Sequence, residues 1–242
     1  MKHRTKITTR LAAVAGLALS VAPANAAAVF TEVTSGPNTP DTLTDELAFA
    51  GDVSSIDLLN GLTGTIGGTF AGGNVANLTN GLGRTIDSSV DLGGAVGEIT
   101  WVGDSGSSVE FVLGAGDGLG YDISGVTSFA DWDGAGFMNQ SYEIYLRELG
   151  GSYTLYTTVD YQPAAVVGEG GATKVNVTDD LGLLGSGIDA IRFDFLDTVS
   201  NDVGGIVFSE IDVFGIATVP EPSSTALLGL GAMAIALRRR RV

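Results

Sequence analysis

Hydrophobic and polar residues alternate in short runs along most of the chain. Period-two stretches stand at residues 108–113, 142–147, 153–161 and 191–195, and an apolar-rich run at 206–216 closes the series. Side chains two apart share one side of an extended backbone, so each run predicts a half-buried β-strand. Asn60-Gly61, Asn80-Gly81, Asp117-Gly118 and Asp133-Gly134 lie between such runs and read as tight turns, since these residue types accept the backbone angles that turns require. No stretch between residues 27 and 217 sustains a 3.6 period. The pattern therefore predicts an all-β fold, a single β-sandwich or jelly roll with little helix. Residues 34–45, which include Pro37 and Pro40, read as an irregular lead-in.

The two ends follow a different pattern. Lys2, Arg4, Lys6 and Arg10 precede an apolar stretch at 11–21, and Ala24-Asn25-Ala26 supplies the small residues that signal peptidase requires. Residues 1–26 are thus expected to be a signal helix, cut after Ala26. At the other end residues 225–237 are almost uniformly apolar, and Arg238, Arg239, Arg240 and Arg241 follow at once. This run is shorter than the roughly 20 residues a spanning helix usually needs, and the arginines hold its end in the cytoplasm. It predicts a hydrophobic C-terminal helix, a short transmembrane segment over 224–237.

Pro220-Glu221-Pro222, the apolar run and the arginine cluster, taken in that order over residues 219–242, resemble the PEP-CTERM sorting signal of Gram-negative bacteria. The resemblance implies passage through the inner membrane with transient anchoring there, removal of the tail near Glu221 by exosortase, and delivery to the cell surface or the extracellular matrix.

Setting both ends aside changes the composition of the remainder, residues 27–217. Only Arg84, Arg147, Lys174 and Arg192 remain as basic residues against 27 acidic ones, a formal charge of −23. Such a surface repels nucleic acid and favours solubility and divalent cations. The chain has no cysteine, and its one histidine, His3, lies in the signal segment. Ser-His-Asp and Cys-His nucleophile systems are therefore excluded, as are zinc sites of His or Cys type. Without disulfides the stability of an exported domain must come from its core alone.

The layout of residues 123–147, 150–161, 188–195 and 210–215, with a tryptophan-bearing strand, a Tyr-Glu-Ile-Tyr strand and a closing Glu210-Ile211-Asp212-Val213-Phe214-Gly215, is similar to the discoidin-like, galactose-binding jelly roll. It spans residues 77–216 and implies a ligand site in loops at one end of the sandwich. Trp132 would stack on a sugar ring there, and Asp131, Asp133, Asn139 and Gln140 would bind hydroxyls. Trp132 also reads as a residue buried between sheets, and Trp101 as core.

The acidic loops offer candidate calcium ligands in the pairs Asp131 with Asp133, Asp179 with Asp180, and Asp197 with Asp202. None forms an EF-hand loop, and paired aspartates in glycine-rich loops also serve simply as turn residues. A glycosidase needs only two carboxyl groups, but nothing marks one pair out, and no catalytic residue is assigned. The expectation is an exported, non-catalytic surface or matrix protein that binds extracellular polysaccharide. The alternatives are a structural or adhesive protein acting through charge and calcium, and a carboxylate-dependent glycoside hydrolase.

Overall fold

The computed structural model describes residues 27–38, 46–86, 97–102, 106–132, 134, 136–164, 170–199 and 205–219. The expected signal helix and cleavage residues Ala24 and Ala26, the sorting residues from Pro220 to Arg241, and Asp133 and Asp202 lie outside these. No helix among the described residues is long and apolar enough to cross a membrane.

Among the described residues eleven strands build the fold: β1 (Ala28–Asn38), β2 (Thr65–Gly67), β3 (Phe70–Gly73), β4 (Thr100–Val102), β5 (Ser108–Val112), β6 (Tyr121–Trp132), β7 (Gln140–Glu148), β8 (Tyr153–Tyr161), β9 (Gly170–Asp179), β10 (Gly185–Phe195) and β11 (Ile206–Ala217). All pairings between them are antiparallel. One layer runs β1-β9-β6-β11-β4-β3 and the other β8-β7-β10-β5-β2. The layers join at a corner: Tyr121 and Ile123 of β6 pair with β10, while residues 126–132 pair with β9. This is the all-β sandwich that the alternation predicts, closed towards a barrel.

The core fills the space between the layers. Tyr142 of β7 sits at its centre with ring contacts to Phe193, Phe195 and Phe208 at 5.9–6.5 Å. Alternate residues of the facing strands, such as Val126, Ile144, Val175 and Val177, are fully buried around it. Edge-to-face aromatic pairs of this kind add to the burial of their surface. Leu59 and Leu78 belong to the same core, and Leu62, Phe70 and Val75 pack against it, so the segment before the jelly-roll resemblance contributes to that core.

The lead-in expected at 34–45 is in part a strand. Thr34 and Ser35 pair with Thr173 and Ala172 in β1, and Asn38 pairs with Gly170. Pro37 falls in the register break between Ser35 and Asn38, where its missing N–H removes no ladder bond, and β1 is an edge strand where proline is tolerated. The expected tight turn at Asn60-Gly61 forms, closed by Leu62 N donating to the Leu59 carbonyl at 2.7 Å, although neither it nor Asn80-Gly81 joins two strands of a hairpin; Gly61 donates to the Thr79 carbonyl at 2.6 Å and Gly81 to the Glu210 carboxylate at 3.3 Å, tying the early segment to the sheet.

Candidate functional site

β6 ends on Trp132 at the end of the sandwich opposite the last described residues. Its first residue, Tyr121, pairs with Ala217, and Thr218 donates to the Gly120 carbonyl. Twelve residues at about 3.3 Å each separate the two ends of that strand by roughly 36 Å. The molecule is therefore polar along its strands, with the exit to the C-terminal tail at one end and the Trp132 region at the other.

At the Trp132 end a second apolar cluster stands apart from the main core. Ile99, Phe137 and Val207 are buried, and Trp101 and Trp132 pack against them half-exposed. Trp101 meets Phe137 edge-on at 5.1 Å. Trp101 is thus a member of this satellite cluster and not of the main core. Gly205, at φ 96°, makes room for it: a Cβ there would come within 2.9 Å of Trp101 Nε1 and 2.0 Å of the Val102 carbonyl.

Beneath Trp132 lies the most buried cation among the described residues. The Arg84 guanidinium sits 5.2 Å from the Trp132 ring centre, a cation–π distance. It pairs with Glu46 at 3.2 Å and with the Asp131 carboxylate, and donates to the Ile86 carbonyl at 2.9 Å. The other Asp131 oxygen accepts from Ser209. Burial pushes the Asp131 carboxyl up, and the charge of Arg84 and the bonds from Ser209 and Arg84 work against that shift. Glu98, close by, accepts from Thr85 N, Thr85 Oγ1 and Ile86 N at 2.6–3.0 Å. Its partial burial acts upward, but these bonds and Arg84 prevail and hold its carboxyl below the usual range.

The polar residues expected to meet a sugar beside Trp132 are spent inside the protein. Asn139 is fully buried; its amide donates to the carbonyls of Ala164 and Val199 at 2.9 and 3.0 Å and accepts from Ala164 N at 2.9 Å. Gln140, also fully buried, accepts from Ser128 and donates to Thr173 Oγ1 at 2.9 Å. Asp131 is held by Arg84 and Ser209. These three therefore correct the sequence expectation, because a buried polar group is satisfied internally before it can serve a ligand. They position the loops around the aromatic cluster. Alternation places Asp131 and Gln140 on strands but does not tell which face a neighbouring layer covers.

The calcium pairs fare similarly. Both Asp179 oxygens are taken, by Leu181 N at 2.7 Å and by the Tyr156 hydroxyl at 2.8 Å, while Asp180 accepts from Ala27 N at 3.0 Å. Asp197 is exposed, and its expected partner Asp202 is undescribed. Among the described residues no group of three or more His, Cys, Asp or Glu has the spacing to hold a metal.

Pattern reading missed a third group of carboxyls. Asp57, Glu210 and Asp212 lie between β11 and the early segment, with Glu210 and Asp212 fully buried. One oxygen of each accepts backbone N–H groups from Gly81, Ser54, Leu59 or Val213, and the other has no partner. Burial, with repulsion from Asp212 and Asp57, pushes Glu210 up to about 9. Burial and Asp57 raise Asp212 to about 7, although Lys174 opposes this. Glu210 and Asp212 are closed to solvent, while Asp57 is partly exposed.

All four basic residues of residues 27–217 are neutralised locally. Besides Arg84, Arg147 pairs with Asp189 at 2.6 Å, Arg192 with Asp194 at 2.8 Å and Lys174 with Asp52 at 2.9 Å. A cavity of about 380 Å³, floored by Leu146, Leu155, Leu184 and Ile188 and edged by Tyr156, opens at the end where the chain leaves the fold. The aromatic cluster lies at the opposite end of the strands.

Residues 218–241 match the PEP-CTERM protein-sorting motif, which marks an exported protein sorted to the cell surface. No curated protein matches the chain. Among solved structures, the chain is similar to a Streptococcus pneumoniae fucose binding module (TM-score 0.41, 13% identity, 66% of this chain and 94% of that one). It is also similar to the family 32 carbohydrate-binding module of Clostridium perfringens NanJ, solved with galactose (0.40, 13%, 63% and 92%). A third is the chitosan-binding module 1 of a Paenibacillus sp. IK-5 chitosanase/glucanase (0.38, 16%, 66% and 98%).

Proposed function

We propose that this is a polysaccharide-binding protein of the cell surface or extracellular matrix, exported through the inner membrane, released from its signal peptide by signal peptidase and processed at the PEP-CTERM tail by exosortase. The observation that carries the binding role is the half-exposed pair Trp101 and Trp132 at the end of the sandwich remote from that tail. Aromatic faces stack on the apolar faces of sugar rings, and this pair points away from the membrane while the chain is still anchored. The acidity of the surface and the pairing of every basic residue support a neutral glycan as ligand and speak against nucleic acid. Binding is favoured over hydrolysis because Glu210 and Asp212, whose carboxyls are pushed up to about 9 and about 7, are sealed within the protein.

The test is retardation in affinity gels containing soluble polysaccharides, the producing cell's own extracellular polymer included. Wild type is expected to be retarded, and Trp132→Ala and Trp101→Ala each to lose at least tenfold in affinity, the scale of a buried aromatic anchor. Undiminished retardation in both variants would remove the site from the aromatic cluster.

A further inference from the structure

Ala27, the residue that follows Ala24-Asn25-Ala26, is held by a single aspartate from two directions. Its nitrogen lies 3.0 Å from Asp180 Oδ1, and its carbonyl accepts from the Asp180 main-chain N–H at 3.2 Å. Ala28 then enters β1 opposite Asp179. The Asp179 carboxylate is already bound to Leu181 and Tyr156, which fixes the turn on which Asp180 rides.

Resting on cleavage after Ala26, we propose that Asp180 is the receptor for the new N-terminus created when the signal peptide is removed. Hydrolysis breaks the Ala26–Ala27 C–N bond; water supplies hydroxyl to the Ala26 carbonyl carbon and a proton to the Ala27 nitrogen. That amine takes a further proton from solvent, since an α-amino group ionises near 7.7–8.0. A neutral amide donor facing Asp180 thereby becomes an ammonium, and the hydrogen bond becomes an ion pair with charge assistance.

The position gives this pair a purpose. Among the described residues β1 pairs with β9 alone and no strand pairs with its other edge, and most of its side chains are exposed. Strand ends fray first unless tied down. The ion pair clamps the first residue of that edge strand, so removal of the signal peptide strengthens an edge that is already paired.

The experiment uses the exported protein as recovered from outside the cell. N-terminal sequencing comes first: Ala27 as first residue is expected, and any other start overturns both the cleavage reading and the proposal. With Ala27 confirmed, the α-amine is acetylated near pH 6.5, where it reacts ahead of Lys174. Acetylation removes the charge and keeps the N–H donor. The melting midpoint is expected to fall by about 1–3 °C in wild type, as for one exposed ion pair in a domain of this size, and to stay in place in Asp180→Asn. An equal fall in both proteins, or none in wild type, overturns the Asp180 receptor while leaving the cleavage site standing.

Discussion

Raising the pH from 5 to 8 should destabilise this protein, although most acid-rich domains have finished titrating by then. Glu210 has a folded pKa of about 9 and an unfolded value near 4.5. Between those values the folded state holds a proton that the unfolded state has released. Stability then falls with pH at 2.303RT per proton, about 1.36 kcal/mol per unit. Over three units Glu210 alone accounts for about 4 kcal/mol, a large part of the 5–15 kcal/mol that typically holds a domain. Asp212, raised to about 7, adds to the slope below neutrality. Glu98 and Asp122 are lowered, so their opposite contribution is complete below about pH 5 and leaves this window untouched. The assay is urea denaturation at pH 5, 6.5 and 8 on wild type and Glu210→Gln. The variant cannot ionise, so its slope should be shallower by close to one proton, and it should overtake wild type in stability at pH 8. Equal slopes in the two proteins would refute the assignment, as would a wild type that gains stability across the window.

Other outcomes follow from single contacts. Arg84→Met leaves the Glu46 and Asp131 carboxylates buried without a cation and should cost about 3–5 kcal/mol by denaturant titration. Asn139→Ala strands the Ala164 N–H and two loop carbonyls; it should cost about 1–3 kcal/mol and speed amide exchange at Ala164. Gly205→Ala forces a Cβ towards the Val102 carbonyl and Trp101, and should lower polysaccharide retention together with the melting midpoint. Trp132→Ala, in contrast, should weaken retention far more than it lowers the midpoint, because its ring is only half-buried.

The chain of residues by itself determined the strand class and the C-terminal sorting signal. Alternation marked β5, β7 and β10 because those strands alternate buried core residues with more exposed ones, and a period of two records that directly. The sorting motif was legible because it is a linear signal whose meaning needs no fold. What only the tertiary structure decided is which polar groups lie inside. β6 and β11 are covered over most of their length, so alternation fades in their burial, and Asp131, Asn139, Gln140 and Glu210 look like surface residues in sequence. Their burial depends on segments far away, such as the Arg84 loop 47 residues before Asp131 and the Ser54–Leu59 stretch that covers β11. A side chain's solvent exposure is set by what packs over it, and that partner is chosen by the fold and not by its neighbours in sequence.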